Sequence, residues 1–287
     1  MSTQALSGNT PASAPAPREP RTVDPAARPY RFSDVVRSEW TKVRTVRSTW
    51  WTLLATAVVV IGLGALIGLG VGSHSKRMGL GDRLTFDPTR VAFFSLLFGQ
   101  LAVSVLAVMI VTSEYSTGMI RTSLQAVPRR TWLLSAKALV FTAIALVVGE
   151  ILSFATYFVV QALLKSGPAP TSNLGQPHVL RAVIGAGLYL TVTGLLSMGV
   201  ATLIRSTAGA ITIIVAVYFV LPVFSNALPS NWANPVQKWL PTGAGEQIFS
   251  VKAQSHYFTA WPGFIVLCVY TAIVLVASGV VLNKRDA

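Results

Sequence analysis

WWTLLATAVVVIGLGALIGLGVG, residues 50–72, runs for 23 residues without a formal charge. At about 1.5 Å of rise per residue, a helix of that length spans the roughly 30 Å hydrocarbon core of a bilayer. A helix apolar on every side has to be buried in protein or lipid. Five further stretches read the same way: 91–113, 138–164, 182–204, 206–228 and 262–282. Glu150 is the single formal charge within the six. Membrane barrels alternate polar and apolar residues in segments of about ten, whereas these runs are continuous. The expected fold class is therefore an all-α polytopic membrane protein.

Composition agrees. Of 287 residues, 52% are hydrophobic and 11% charged, with mean hydropathy +0.59. A soluble domain carries about 25% charged residues, so a water-soluble enzyme is excluded. The net charge of +13 fits the bases that flank membrane spans better than nucleic-acid binding. The single cysteine, Cys268, excludes an intrachain disulfide and a cysteine-based zinc site.

Six spans put both termini on one side. The tails, the connection after the second span and the turn after the fourth hold 15 lysines and arginines, against 8 in the other connections. The positive-inside rule then places both termini in the cytoplasm. Trp50, Trp51 and Trp132 fall at expected inner ends, and Trp232, Trp239 and Trp261 in or beside the last outer loop. That is where interfacial anchors belong.

Residues 1–30 contain six prolines and six alanines and few large apolar side chains. They are expected to form a disordered cytoplasmic tail before a membrane domain at 31–287. They hold no apolar core of a signal peptide. In 32–49, Phe32, Val35, Val36, Trp40, Val43 and Val46 recur at helical spacing, while Arg37, Lys42, Arg44 and Arg47 lie largely off that stripe. This predicts an amphipathic helix in the inner interface, capped by Ser33.

The longest inner connection, 114–131, places Ile120, Leu124 and Val127 on one helical stripe, with Ser116 or Thr117 to cap its start and Pro128 to end it. A helix with one apolar face outside the membrane needs something to bury that face. The last outer loop, 229–261, is rich in aromatics and is expected to dip into the interface as short helices. Pro222 is expected to kink the fifth span.

No Gly-Lys dipeptide occurs, so the chain has no Walker A phosphate loop. No His-Glu-x-x-His motif appears, and His74, His178 and His256 fall in outer connections. A membrane-embedded hydrolase would need a catalytic pair at membrane depth, and none is present. Glu150 lies at mid-span, where an ionisable group is costly. Two readings stand: a group lining a polar path or supporting gating, or a structural carboxyl bonded to Ser153, Gln100 or Tyr157. Gly64, Gly68 and Gly72 form a small-residue stripe suited to close helix packing.

Three stretches carry a family resemblance. EYSTGMIRTSLQAVPRR at 114–130 is similar to the segment after the second span of type-2 ATP-binding-cassette (ABC) exporter permeases. RSEWTKVRTVRSTWW at 37–51 resembles that family's approach to its first span, and LIRSTAGAI at 203–211 its turn between spans four and five. The family often has an acid-base-acid pattern before its Gly-Thr. Here Glu114 and Gly118 match, while Tyr115, Ser116 and Met119 depart from it.

The resemblance implies a permease without an ATPase of its own, sited in the cytoplasmic membrane. It would pair with a second permease, identical or not, and with two ATPase subunits that use ATP on its behalf. Segment 114–130 would be the coupling helix, with Glu114, Gly118 and Arg121 orienting or capping it. Ile120, Leu124 and Val127 would form its buried face, closed by Pro128. An amphipathic or lipid-like cargo would suit the apolar walls. The alternative is a polytopic membrane sensor or scaffold that transports nothing.

Overall fold

The structure is a computed structural model and describes residues 31–75, 79, 81, 86–119, 130–252 and 254–284. Contacts divide the chain into Met1–Arg31 and Phe32–Ala287, and the fold is that of the second unit. The tail expected to be disordered, 1–30, lies outside the described residues.

The described elements are all helical. Helix α1 (Phe32–Thr45) is separated by Val46 from α2 (Arg47–His74). A helical turn, Pro88–Phe93, leads into α3 (Leu96–Ser116). Asp87 caps that turn, its side chain accepting from the backbone N–H of Thr89 and Arg90. Then come α4 (Arg130–Lys165), α5 (Val179–Ile204), α6 (Thr207–Ser225) and α7 (Ala260–Lys284). Among the described residues six helices, α2 to α7, are long and apolar enough to cross a membrane, α3 together with the turn before it.

Helix α5 is the axis of the bundle, packing against α3, α4, α6 and α7. Its sequence explains why. A methyl group at Gly194 would lie 2.5 Å from the Phe141 ring, and one at Gly199 would lie 2.8 Å from Val274. Small residues on several sides let several helices approach closely, which is how bundles gain contact where lipid offers no hydrophobic drive. Helix α2 seats its Gly64–Gly68–Gly72 stripe on α4. A methyl at Gly64 would come within 2.7 Å of Thr156 Cγ2, and one at Gly68 within 3.4 Å of Val160 Cγ1.

Three expectations change in detail. Helix α1 starts at Phe32, so Ser33 lies inside its first turn and not at the cap. Its buried face centres on Val35 and Glu39, while Trp40 and Val46 are 46% exposed. The kink expected at Pro222 takes the form of a π-helical segment, Ala216–Val220, just before it. Proline lacks an N–H and crowds the carbonyl four residues back, here Tyr218, and a wider turn relieves both.

The connection between α6 and α7 forms three short elements, Ser230–Trp239, Pro241–Gly245 and a 3-10 turn Glu246–Phe249. Ile248 is fully buried. Arg181 at the start of α5 clamps the turn by donating to the carbonyls of Ile248 at 2.9 Å and Ser250 at 2.8 Å.

Candidate functional site

The site lies where α3 ends. Glu114 was read as the first residue of a connection, but α3 continues through Ser116. Ser116 and Thr117 were expected to cap the next helix. Instead both hydroxyls donate back to the Ser113 carbonyl, at 3.0 and 2.7 Å. Thr117 is the C-cap, and Gly118 follows with φ +71°, the left-handed conformation in which glycine ends a helix without strain. Ile120, Arg121, Leu124, Val127 and Pro128 lie outside the described residues.

Both sides of that connection are braced by a closed ring of four charges. Glu39 and Lys42 come from α1, Glu114 from the end of α3 and Lys137 from the second turn of α4. Lys42 Nζ donates to Glu39 Oε1 at 2.6 Å and to Glu114 Oε1 at 2.9 Å. Lys137 Nζ donates to Glu39 Oε2 at 2.6 Å and to Glu114 Oε1 at 2.7 Å. Glu39, Glu114 and Lys137 are buried, and the Lys42 side chain is 34% exposed. Burial works against the Lys42 ammonium, but its hydrogen bonds to the two carboxylates outweigh it and hold its pKa above the usual lysine value.

Two positive and two negative groups in alternation leave the ring neutral. Each member pairs with the two of opposite sign, and removing one leaves the cluster with a net charge; breaking a buried pair in this way costs about 3–5 kcal/mol. Beneath the ring, Val35, Leu133 and Ala136 form an apolar cluster, with Phe32 packed edge-on against Trp132 at 5.8 Å.

Neighbouring helix ends tie into the same place. The Arg205 guanidinium lies 5.7 Å over the Tyr115 ring, a cation–π contact that joins the α5–α6 turn to α3. Arg205 itself has φ +59°, and Ser206 caps α6 by accepting from Gly209 N–H. Thr207 donates to Thr112 at 2.8 Å, and Arg130 donates to the Leu282 carbonyl at 3.1 Å. These contacts tie the ends of α1, α3, α4, α6 and α7 to one another.

Glu39, Lys137, Tyr115 and Arg205 were not among the expected site residues, and Lys42 was placed off the buried face. One signal was present: an acid at position 39, four residues after Val35, falls on the apolar stripe of α1.

Glu150 lies apart from this ring. Its side chain packs against Gly187 of α5, where a methyl group would sit 2.6 Å from the carboxyl carbon. Its Oε2 is buried and accepts no hydrogen bond. The three candidate partners are engaged elsewhere. Ser153 donates to the Val183 carbonyl, Gln100 accepts from Tyr189, and Tyr157 pairs with Ser172. A group held by helix contact and not by polar partners can change protonation or environment without breaking a network.

Among the described residues, no group of three or more His, Cys, Asp or Glu side chains could hold a metal ion.

No curated protein matches the chain. A family model described as ABC-2 family transporter protein matches residues 35–222, from the buried face of α1 through the proline of α6. That range contains the charge ring, the connection it braces and the α5–α6 turn. The chain therefore belongs to the ABC-2 transporter family, as a multi-pass membrane permease that works in partnership with ATPase subunits.

Proposed function

We propose that the permease is an exporter subunit of the cytoplasmic membrane, with both termini in the cytoplasm, driven through the segment 114–130. In this reading two ATPase subunits bind and split ATP, and a second permease, identical or not, completes the path. The chain supplies no nucleotide site. Closure of the ATPase pair pushes the 114–130 segment, and the helices rooted beside it shift.

The observation that supports this reading most is the pairing of Glu114 with Lys137 across the two sides of that segment, with Glu39 and Lys42 completing the ring. A push on the segment is carried by a closed cluster of ion pairs joining α1, α3 and α4. The apolar stripe Ile120, Leu124 and Val127 is assigned to the ATPase groove, and an amphipathic or lipid-like molecule is the cargo class.

Replacing Leu124 with Asp tests the assignment. Burial of a leucine side chain contributes about 1.5–3 kcal/mol, and tenfold in binding corresponds to about 1.4 kcal/mol. ATPase co-purification should therefore fall at least roughly tenfold. Ser123→Asp, off the stripe, serves as control. A Leu124→Asp permease that retains its ATPase and transports normally ends the coupling assignment.

A further inference from the structure

A cavity of about 400 Å³ opens beside the charge ring, between α1, α2 and the last turns of α3. One end is lined by Lys42, Glu39, Glu114 and Lys137, the other, one to two turns back along α3 from Glu114, by Leu106, Met109 and Ile110. Its size is that of a small-molecule pocket, which characteristically joins apolar walls to a few fixed polar groups.

The two ends differ in the way an amphiphile does. At the apolar end Met109 is 41% exposed, so the cavity opens on the face of α3 that meets lipid chains. At the polar end, Glu39, Glu114 and Lys137 are closed off by mutual pairing, and Lys42 is the member of the ring that reaches solvent. Its ammonium has three N–H donors, and the ring takes two of them. Arg44 and Arg47, both exposed, add positive charge at the same end of α1 and α2. Glu114 also presents Oε2, a buried acceptor with no hydrogen bond.

We propose that this cavity binds an anionic amphiphile, its acidic headgroup on Lys42 and its chain against Leu106, Met109 and Ile110. A headgroup hydroxyl would suit Glu114 Oε2. Phosphatidylglycerol has this chemistry, and phosphatidylcholine, which is net neutral and lacks a donor, does not. The site rests on the cavity alone. That the leaflet is the inner one depends on the proposed orientation, and the binding test does not.

The test is native mass spectrometry of the purified full-length permease titrated with phosphatidylglycerol or phosphatidylcholine of identical chains. One phosphatidylglycerol per chain should bind roughly fivefold more tightly than phosphatidylcholine, the scale of one basic residue against an anionic headgroup. Met109→Trp fills the apolar end and leaves the ring intact, so it should remove that adduct without lowering the melting temperature. Lys165→Gln, an exposed base at the far end of α4 from the ring, should keep it. Inorganic phosphate alone should not displace the lipid, because it lacks the chain. Equal binding of the two lipids, survival of the adduct in a folded Met109→Trp variant, or displacement by millimolar phosphate would each overturn the site. Loss of ATPase partnership in the Leu124→Asp variant would leave the lipid adduct unchanged, so the two proposals fail separately.

Discussion

Lys137 Nζ and Glu114 Oε1 meet at 2.7 Å, one from each of the two helices, α4 and α3, that flank the connection between them. The same oxygen also accepts from Lys42, and Lys137 also binds Glu39. This makes a ring and not an isolated pair, and the distinction is testable. In an isolated pair, exchanging the two charges restores the interaction. Here Glu114→Lys would face Lys42 and Lys137→Glu would face Glu39. Each single variant should cost about 3–5 kcal/mol. The double exchange should remain destabilised, read as a lowered melting temperature of the purified permease. Full recovery in the double variant would reduce the ring to one independent pair.

The connection between α6 and α7 carries a separate titration. Burial pushes the Glu246 carboxyl up from 4.5 to about 7, partly offset by Arg90. The sign follows from linkage. The folded state holds this proton more tightly than the unfolded chain, so stability is highest below pH 4.5, falls as pH rises to about 7 and is level above. One pKa unit is worth about 1.4 kcal/mol, so the fall should be on the order of 1–3 kcal/mol. Melting curves between pH 4.5 and 8 should show it in the native permease and lose it in Glu246→Gln. A variant with the same slope would assign the effect to another group.

Orientation can be read by labelling. In a Cys268→Ser background, cysteines placed at Asn173 and Ser255 should react with an impermeant maleimide added from outside. Cysteines at Thr10 and Gln125 should not. The opposite pattern would invert the topology and place the charge ring on the outer face.

The membrane fold was legible because apolar runs of more than 20 residues leave a helix few alternatives in lipid. The central position of α5 was not, because it depends on which partner each small residue meets. Gly194 fits the Phe141 ring only once both helices are in place. The charge ring was hidden for a related reason. Glu39 and Lys137 are 98 residues apart in sequence, and each alone resembles an ordinary solvated charge. Lys137 stands one residue before the stretch read as the third span. Ser116 and Thr117 suit a helix start and a helix end equally well. Gly118 decides between them, since a glycine at φ +71° belongs just after a helix C-terminus.

Glu150 provides the last discrimination. Its carboxyl is wedged against Gly187, and its backbone N would lie 2.9 Å from a methyl added there. Gly187→Ala therefore presses on backbone as well as side chain, and should cost about 1–3 kcal/mol through overpacking. Glu150→Gln keeps the shape and removes only the ability to ionise, so protein level and melting temperature should stay near normal. If the carboxyl lines a polar path or supports gating, Glu150→Gln should lower transport at normal abundance. Gly187→Ala should lower stability first and transport in proportion. Transport at the native rate in both Glu150→Gln and Glu150→Ala would leave Glu150 a packing residue between α4 and α5. Transport lost in Glu150→Ala but retained in Glu150→Gln would assign the role to volume and not to charge.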